Sequence, residues 1–269
     1  MKWRFVNTGT QSGAMNMALD ESVMIHCARG DVSPTLRFYR WDRPTLTLGY
    51  FQKAHGEVNL EACEQQGVAV VRRLTGGRAV LHDRELTYSI VMGKERGDLP
   101  EGVTASYKIL SEGLLLGFKN LSIQACMSRP TPSGCRSSSA CFDALSAYEL
   151  EVGGKKIVGS AQARRHGALL QHGSVLNDLS VDLLFSVLRD DGQGGLERAR
   201  QDFLNKATSI RHETGAEKNW EELCDAFLRG FQEAFDAPLI ETDLTPSEWE
   251  LAHQLTEDKY SSLSWTTRR

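Results

Sequence analysis

The chain has 269 residues, 41% of them hydrophobic and 25% charged, the composition of an ordinary globular protein large enough for a substantial core. With 31 Lys and Arg against 35 Asp and Glu, the formal net charge of -4 excludes a global basic field that would hold nucleic acid or an anionic membrane. Any affinity for anions must therefore be local. The first residues, "MKWRFVNTGTQSG", lack the apolar stretch of a signal peptide, and no later run approaches the roughly 18 apolar residues of a membrane span, so a cytoplasmic location is expected.

Residues 3–8 read as a short strand. Ser12 then offers an N-cap to a helix over residues 13–28, where Met15, Ala18, Leu19, Ser22, Val23 and His26 recur at helical spacing until Gly30 ends it. Strand-like runs follow at 35–41, 45–51, 68–74 and 85–92, with a short helix over 59–67 among them, closed by Gly67. The strongest helical pattern covers 104–121: Tyr107, Leu110, Leu114, Leu115, Phe118 and Leu121 share one stripe, and Thr104 is the candidate cap. Residues 128–140, rich in Ser and Pro, read as a loop leading into Cys141. The next segment, 147–176, alternates as paired strands about Gly153-Gly154 and again about the Arg-Arg-His-Gly at 164–167, a meander. Two shorter helices are expected near 180–188 and 219–235, the second carrying Trp220, Leu223, Phe227, Phe231 and Phe235 before Pro238. In the tail, Thr245 and Glu248 have capping-box spacing with Pro246 at the first helical position. These elements predict an α+β fold with one core and mixed, largely antiparallel sheets flanked by helices. The expected domain covers 1–240, its core about 31–240, with 241–269 as a short helical extension packed on it.

Three stretches carry candidate chemistry. In "VVRRLTGGRAVLHD" (70–83), one reading is a β-hairpin turned by Gly76-Gly77 with solvated arginines. The other is a ligand site: glycines without Cβ admit a close approach, while Arg72, Arg73 and Arg78 supply charge and directional donors for an anion or a carbonyl. The second stretch surrounds Cys141. Of the six cysteines, Cys27, Cys63, Cys126 and Cys224 sit in helical or strand patterns and read as small buried hydrophobes. Cys141 instead follows a polar loop, and Lys155 and Lys156 lie on a strand able to fold back near it, where an ammonium would favour the thiolate. Cys135, in the same polar segment, is the rival nucleophile. The third, "KIVGSAQ", places Gly159, Ser160 and Ala161 in a strand that accommodates either an extended ligand or another strand. His82, His172 and Asp83 compose a candidate acid–base set, against the alternative of satisfied structural histidines. No paired zinc-ligand spacing is present, and no metal is expected.

Taken together, "AMNMALDE" (14–21), "RRLTGGRAVLHDRELTYS" (72–89) and "CFDALSAYELEVGGKKIVGSAQARRHGALLQHGSVL" (141–176) resemble the lipoate-protein ligase and octanoyltransferase superfamily, which shares a catalytic fold with biotin-protein ligases. The resemblance runs from about Trp3 to the end of the chain and is strongest to Bacillus-type octanoyltransferases. It implies a biotin/lipoyl-ligase-type catalytic domain in which Cys141 carries the acyl group as a thioester. Lys156 would lower its pKa and help position the acyl carbonyl. Arg72, Arg73, Thr75, Gly76, Gly77, Arg78, Ala79, His82, Gly159, Ser160, Ala161, His172 and Gly173 would line the acyl and pantetheine site. The implied reaction moves octanoyl from acyl carrier protein to a lysine of a lipoyl domain or glycine cleavage H protein, with no cofactor, ATP included, no nucleic acid or membrane, and a monomer as the working unit. Alternatives within the resemblance are an ATP-dependent lipoate ligase, which would survive loss of Cys141, and an amidotransferase between lipoyl domains. An acyl or lipoyl-domain binding protein would bind without turnover.

Overall fold

Strand β1 (Trp3–Gln11) and strand β2 (Thr35–Trp41) lie parallel, joined by helix α1 (Gly13–Arg29). The computed structural model describes residues 2–93, 102–128, 149–190, 192 and 194–268. At the start of α1 the Ser12 hydroxyl accepts the Met15 amide, and Gly30, at φ 80°, ends the helix as its spacing predicts. After β2 come β3 (Thr45–Leu48), the short helices α2 (Ala54–Glu57) and α3 (Leu60–Gln65), then β4 (Ala69–Arg72), β5 (Val80–His82) and β6 (Glu85–Gly93). Helix α4 (Val103–Asn120) leads to β7 (Cys126–Met127), and the chain continues through β8 (Leu150–Val152), β9 (Lys155–Arg165) and β10 (Ala168–Leu176). Then follow α5 (Val181–Ser186), α6 (Gly195–Lys206), α7 (Ile210–Thr214), α8 (Trp220–Phe235), β11 (Leu239–Glu241), α9 (Pro246–Leu255), a π-helical turn (Thr256–Tyr260) and α10 (Leu263–Thr266).

Eight strands form the larger sheet in the order β11-β1-β2-β6-β10-β9-β8-β7, and β4-β3-β5 form a smaller one. Apart from the parallel pairs β1–β11 and β1–β2, the large sheet is antiparallel. Its meander turns where expected: Gly153 and Gly154 (φ 58° and 78°) join β8 to β9, and His166 and Gly167 (φ 53° and 81°) join β9 to β10. Paired positive φ values give the tight turn whose twist matches the strands.

The hairpin reading of residues 70–83 is overturned. β4 pairs in parallel with β3 and β5 pairs antiparallel with its other edge, so the Thr-Gly-Gly-Arg segment crosses over β3 instead of joining neighbours. Strand β3 also stops at Leu48, short of the expected 51. A Cβ at Gly49 would stand 1.9 Å from the Gly77 carbonyl oxygen, so the chain there runs backbone to backbone against the glycine segment. Helix α4 starts at Val103 behind Gly102, and Thr104 is not its cap. Helices α6 and α7 and the short strands β7 and β11 were not expected. α6 has few apolar side chains, and β11 is three residues long, too short for a pattern.

Helices α4 and α8 cover one face of the large sheet, where Phe118, Phe227 and Phe231 join Phe38, Tyr88 and Ile90 in one cluster. On the other face α1 packs with α9 around Leu19, Val23, Met24 and Ala252. A third cluster, including Leu46, Val58, Leu184 and Phe203, fills the space behind the small sheet. Residues after 240 pack on the first two elements: the guanidinium of Arg4 on β1 pairs with the buried carboxylate of Glu248, which also closes the Thr245 capping box. Lys259 and Tyr260 reach the Glu21 carboxylate of α1 at 2.7 Å each.

Helices α4 and α8 also approach closely, because glycines remove the side chains that would hold them apart. A Cβ on Gly230 would lie 2.4 Å from both the Gly113 carbonyl oxygen and the Gly117 amide nitrogen, backbone atoms that cannot rotate aside. Gly230→Ala is expected to destabilise the fold by roughly 1–3 kcal/mol or more, read as a lowered midpoint in urea with an unchanged slope.

Candidate functional site

The two sheets face one another across a narrow slot with a free volume of about 50 Å³. The small sheet supplies Thr47, Val80 and His82, and the crossing segment supplies Arg73 and Gly77. The large sheet supplies Tyr39, Trp41, Thr87, the run Gly159, Ser160 and Ala161, and the run His172, Gly173 and Ser174, while α1 contributes Met17. Gly173 is needed on the floor: a Cβ there would come within 2.6 Å of the Gly159 carbonyl oxygen and 2.7 Å of the Ser160 hydroxyl. Of the expected binding residues, Arg73, Gly77, His82, Gly159, Ser160, Ala161, His172 and Gly173 thus converge on one slot.

Arg73 is the centre of its polar wall. The Nε–H donates to the Thr75 hydroxyl (3.2 Å), Nη1 to the Thr47 carbonyl (2.9 Å) and hydroxyl (3.0 Å), and Nη2 to the carbonyls of Gly76 (2.8 Å) and Arg78 (2.7 Å). A guanidinium has five N–H donors, and all five are directed at the protein. The expectation that Arg73 offers directional donors to a ligand is corrected: it offers the slot its charge and holds the Thr-Gly-Gly segment in shape. Arg72 is corrected further. It is fully buried, faces away from the slot, and its guanidinium donates to the carbonyls of Gly49, Gln52 and Thr266 at 2.6, 2.8 and 3.0 Å. Arg78 is half-buried and Ala79 lines a separate hollow beside β5. Thr75 and Gly76 act through Arg73 rather than on the slot wall.

From Arg73 two hydrogen-bonded chains run outward. Thr75 Oγ1 stands 2.7 Å from His172 Nε2, and His172 Nδ1 stands 2.8 Å from Asp20 Oδ2. On the other side Thr47 Oγ1 stands 3.0 Å from His82 Nε2, and His82 Nδ1 stands 2.6 Å from Glu85 Oε1. Because Arg73 can only donate to each threonine, each hydroxyl hydrogen is left for a histidine Nε2, and each Nδ1–H for a carboxylate; this order assigns the tautomers. Burial holds the His172 imidazolium pKa below 6.5 despite the opposing pull of Asp20. Burial works against the Asp20 charge too, but Arg37, 2.8 Å away, and His172 outweigh it and bring that carboxyl down to about 2. Glu85 is held below its usual range against burial by His82 and by the hydroxyls of Ser174 and Thr87. The acid–base set was therefore expected with the wrong carboxylate. Asp83 is exposed and hydrogen-bonds Ser180, while Asp20 and Glu85 are the partners. Asp20 lies within "AMNMALDE" but off the helical stripe of α1, so no spacing singles it out, and Thr47 and Trp41 carried no signal.

At the far end of β9, Lys156 is buried and its ammonium donates to Glu149 Oε1 at 2.6 Å. Ser128 and Glu149 pair through backbone and side chain at 2.7 and 2.9 Å, closing the two chain ends on either side of residues 129–148. Cys141 and Cys135 lie outside the described residues. Cys27 and Cys63 are buried as expected, burial pushing the Cys63 thiol up to about 11. Cys224 is half-buried, with its thiol raised to about 12 by burial. Cys126 departs from expectation: it is exposed on the edge strand β7.

A slot closed between these two sheets, within this order of elements, defines a lipoyl-ligase-type catalytic domain. More particularly, the chain belongs to the lipoyl protein ligase A/B catalytic domain family, whose model matches residues 12–232. It is similar over its length to octanoyltransferases LipM: 48% identical to that of Kyrpidia tusciae over 99% of both chains, and 41% identical to that of Bacillus subtilis over 99% of this chain and 98% of that one. Among solved structures, a bi-partite lipoate protein ligase of Thermoplasma acidophilum superposes with a TM-score of 0.81 at 26% identity, covering 99% of this chain and 96% of that one. Among the described residues no helix is long and apolar enough to cross a membrane.

The buried groups fix how the protein responds to acid. An unfolded chain protonates a histidine near 6.5 where the folded His172 resists, so this contribution is present above 6.5 and declines as pH falls below it. Asp20 adds a second loss between its ordinary 3.8 and about 2. His172→Gln, which keeps an amide donor toward Asp20, is expected to remove the first decline and retain the second in denaturation midpoints measured from pH 7.5 to 3.

Proposed function

We propose that this enzyme moves octanoyl by two thioester-level steps through Cys141. The protein is an octanoyltransferase of lipoate biosynthesis, an acyltransferase by class; the proposal concerns route and residues. In the first step the Cys141 thiolate attacks the carbonyl of an octanoyl thioester on acyl carrier protein, and the pantetheine sulfur leaves as a thiolate that takes up the proton Cys141 gave. In the second, the neutral ε-amine of a lysine on a lipoyl domain or glycine cleavage H protein attacks the Cys141 thioester. The amide forms as the Cys141 sulfur leaves as a thiolate and takes up the proton lost by the attacking nitrogen. Both carbonyls are already activated, so no ATP is needed. An acceptor that is a protein accords with the archaeal neighbour, described together with its E2 lipoyl domain.

The observation that carries this reading is the buried Lys156–Glu149 pair. Cys141 precedes Glu149 by eight positions, and Glu149 fixes the Lys156 ammonium in one place, where its N–H donors favour a thiolate or an acyl carbonyl that comes within hydrogen-bond reach. The slot supplies the rest. Each buried CH₂ is worth about 0.8 kcal/mol, so an octanoyl chain gains on the order of 5 kcal/mol against Tyr39, Trp41, Met17 and Val80. The Arg73 charge at its wall favours the oxyanion of each tetrahedral intermediate.

Brief exposure to octanoyl-acyl carrier protein without ATP, followed by peptide mass spectrometry, is expected to give a hydroxylamine-labile octanoyl adduct on the Cys141 peptide that chases onto apo lipoyl domain. Cys141→Ala should give neither adduct nor transfer, and Lys156→Met should slow adduct formation by roughly 10²-fold. Transfer that persists in Cys141→Ala and depends on ATP and free acid would replace this reading with that of a lipoate ligase.

A further inference from the structure

Outside the slot, one surface has no role in the steps above. After β3 the chain turns through Tyr50 and Phe51, whose rings meet edge to face, and Phe51 is 65% exposed. Two guanidiniums lie over the neighbouring Tyr50 ring, that of Arg268 at 3.7 Å from its centroid and that of Arg165 at 4.0 Å. They come from distant parts of the chain, the C-terminal end and the β9–β10 turn, so the fold gathers them on one residue. Among the described residues no carboxylate forms an ion pair with either, and Lys53 adds a further exposed cation two positions after Phe51. In a protein of formal charge -4 this is a local excess of positive charge. Hydrogen bonding from Arg268 first, and from Arg165 after it, brings the Tyr50 phenol down to about 8, with the two charges adding less.

This surface adjoins the slot. The Tyr50 amide donates to the Thr75 carbonyl at 2.8 Å, and Gly49 lies against the backbone of Gly77, an exposed residue on the slot wall. A partner seated on Phe51 therefore stands beside the opening.

We infer that Phe51, Arg165 and Arg268 form the docking surface for the acyl donor, a carrier domain that presents an acidic face and carries its acyl group on a phosphodiester-linked arm. The inference rests on the donor assigned under the proposed function. Charge decides between the two protein substrates. The acceptor approaches with a lysine, whose ammonium form two unneutralised guanidiniums repel, whereas the donor brings a phosphodiester and acidic side chains that they attract. Phe51 supplies the apolar centre that such a contact needs, with cations around it, and the aromatic-and-arginine composition is that of surfaces holding a few energetically dominant contacts.

The test uses Phe51→Ser and Arg165→Glu, each of which leaves the slot residues in place, with melting temperatures checked against wild type. Steady-state transfer is measured with octanoyl-carrier protein and with octanoyl-pantetheine, which lacks both phosphate and protein. Each variant is expected to raise KM for octanoyl-carrier protein about tenfold with kcat retained. KM for octanoyl-pantetheine and for the lipoyl-domain acceptor should stay within about twofold of wild type, and added salt should weaken the carrier in wild type more than in Arg165→Glu. Unchanged carrier KM overturns the inference, as does an equal rise for the lipoyl domain or for octanoyl-pantetheine. A wild-type enzyme that takes no octanoyl from carrier protein overturns the donor assignment itself, and the inference with it.

Discussion

One guanidinium holds the candidate site together. Arg73 sits between the two sheets and donates every N–H to the protein, two of them to threonine hydroxyls that begin the chains to His172–Asp20 and His82–Glu85. Since a guanidinium cannot accept and an ionised carboxylate cannot donate, the polarity of both chains is set at their ends. The histidines between them have no freedom to choose a tautomer. The slot wall is thus electrostatically preorganised, and a charge developing in the slot meets dipoles already oriented. A lysine in place of Arg73 would keep the charge but lose the planar fork that reaches Thr47, Thr75, Gly76 and Arg78 together.

The same arrangement explains why residues of one motif do such different things. Arg72 and Arg73 are neighbours on and just after a strand, so their side chains leave on opposite sides. Arg73 enters the slot; Arg72 enters the body of the protein and gathers carbonyls from the turn after β3 and from α10. In "AMNMALDE", Asn16, Asp20 and Glu21 are all buried polar residues on α1. Asn16 and Asp20 hold Arg37, Asp20 holds His172, and Glu21 holds Lys259 and Tyr260. Each satisfies a group from another element, as the cost of burying a polar atom unpaired demands.

Much of the fold is legible in the sequence because its signals are local. Ser12, Gly30, the Thr245–Glu248 box, the Gly153-Gly154 turn and the aromatic stripe of α8 each act within a few residues of themselves, and each does in the structure what its spacing predicts. A hairpin was one of two readings of the glycine segment because Gly-Gly is compatible with a tight turn, while its actual course depends on β3, more than twenty positions upstream, filling the gap between β4 and β5. The site divides the same way. Residue types with unusual chemistry, Arg73, His82 and His172, stand out in the sequence. Thr47, Asp20 and Glu85 become functional only through tertiary pairing that no spacing encodes, and Arg72 looks like Arg73 until its burial is known.

The clasp made by Arg72 has a consequence for the shape of the slot. Its guanidinium reaches the Thr266 carbonyl while the Trp265 indole nitrogen donates back to the Arg72 carbonyl at 2.9 Å, so the strand leading into Arg73 is fastened by the last helical turn of the described chain. The first strand, likewise, is paired on its outer edge by β11, and the Arg4 guanidinium it carries pairs with Glu248 as well as donating to the Thr35 hydroxyl at 2.7 Å. A nascent chain that has emerged as far as residue 240 holds every slot residue yet lacks the groups that fix β4 and α1 from behind. The shape of the slot thus depends on residues after 240 that never touch it, because they back the strand and the helix from which its walls are built.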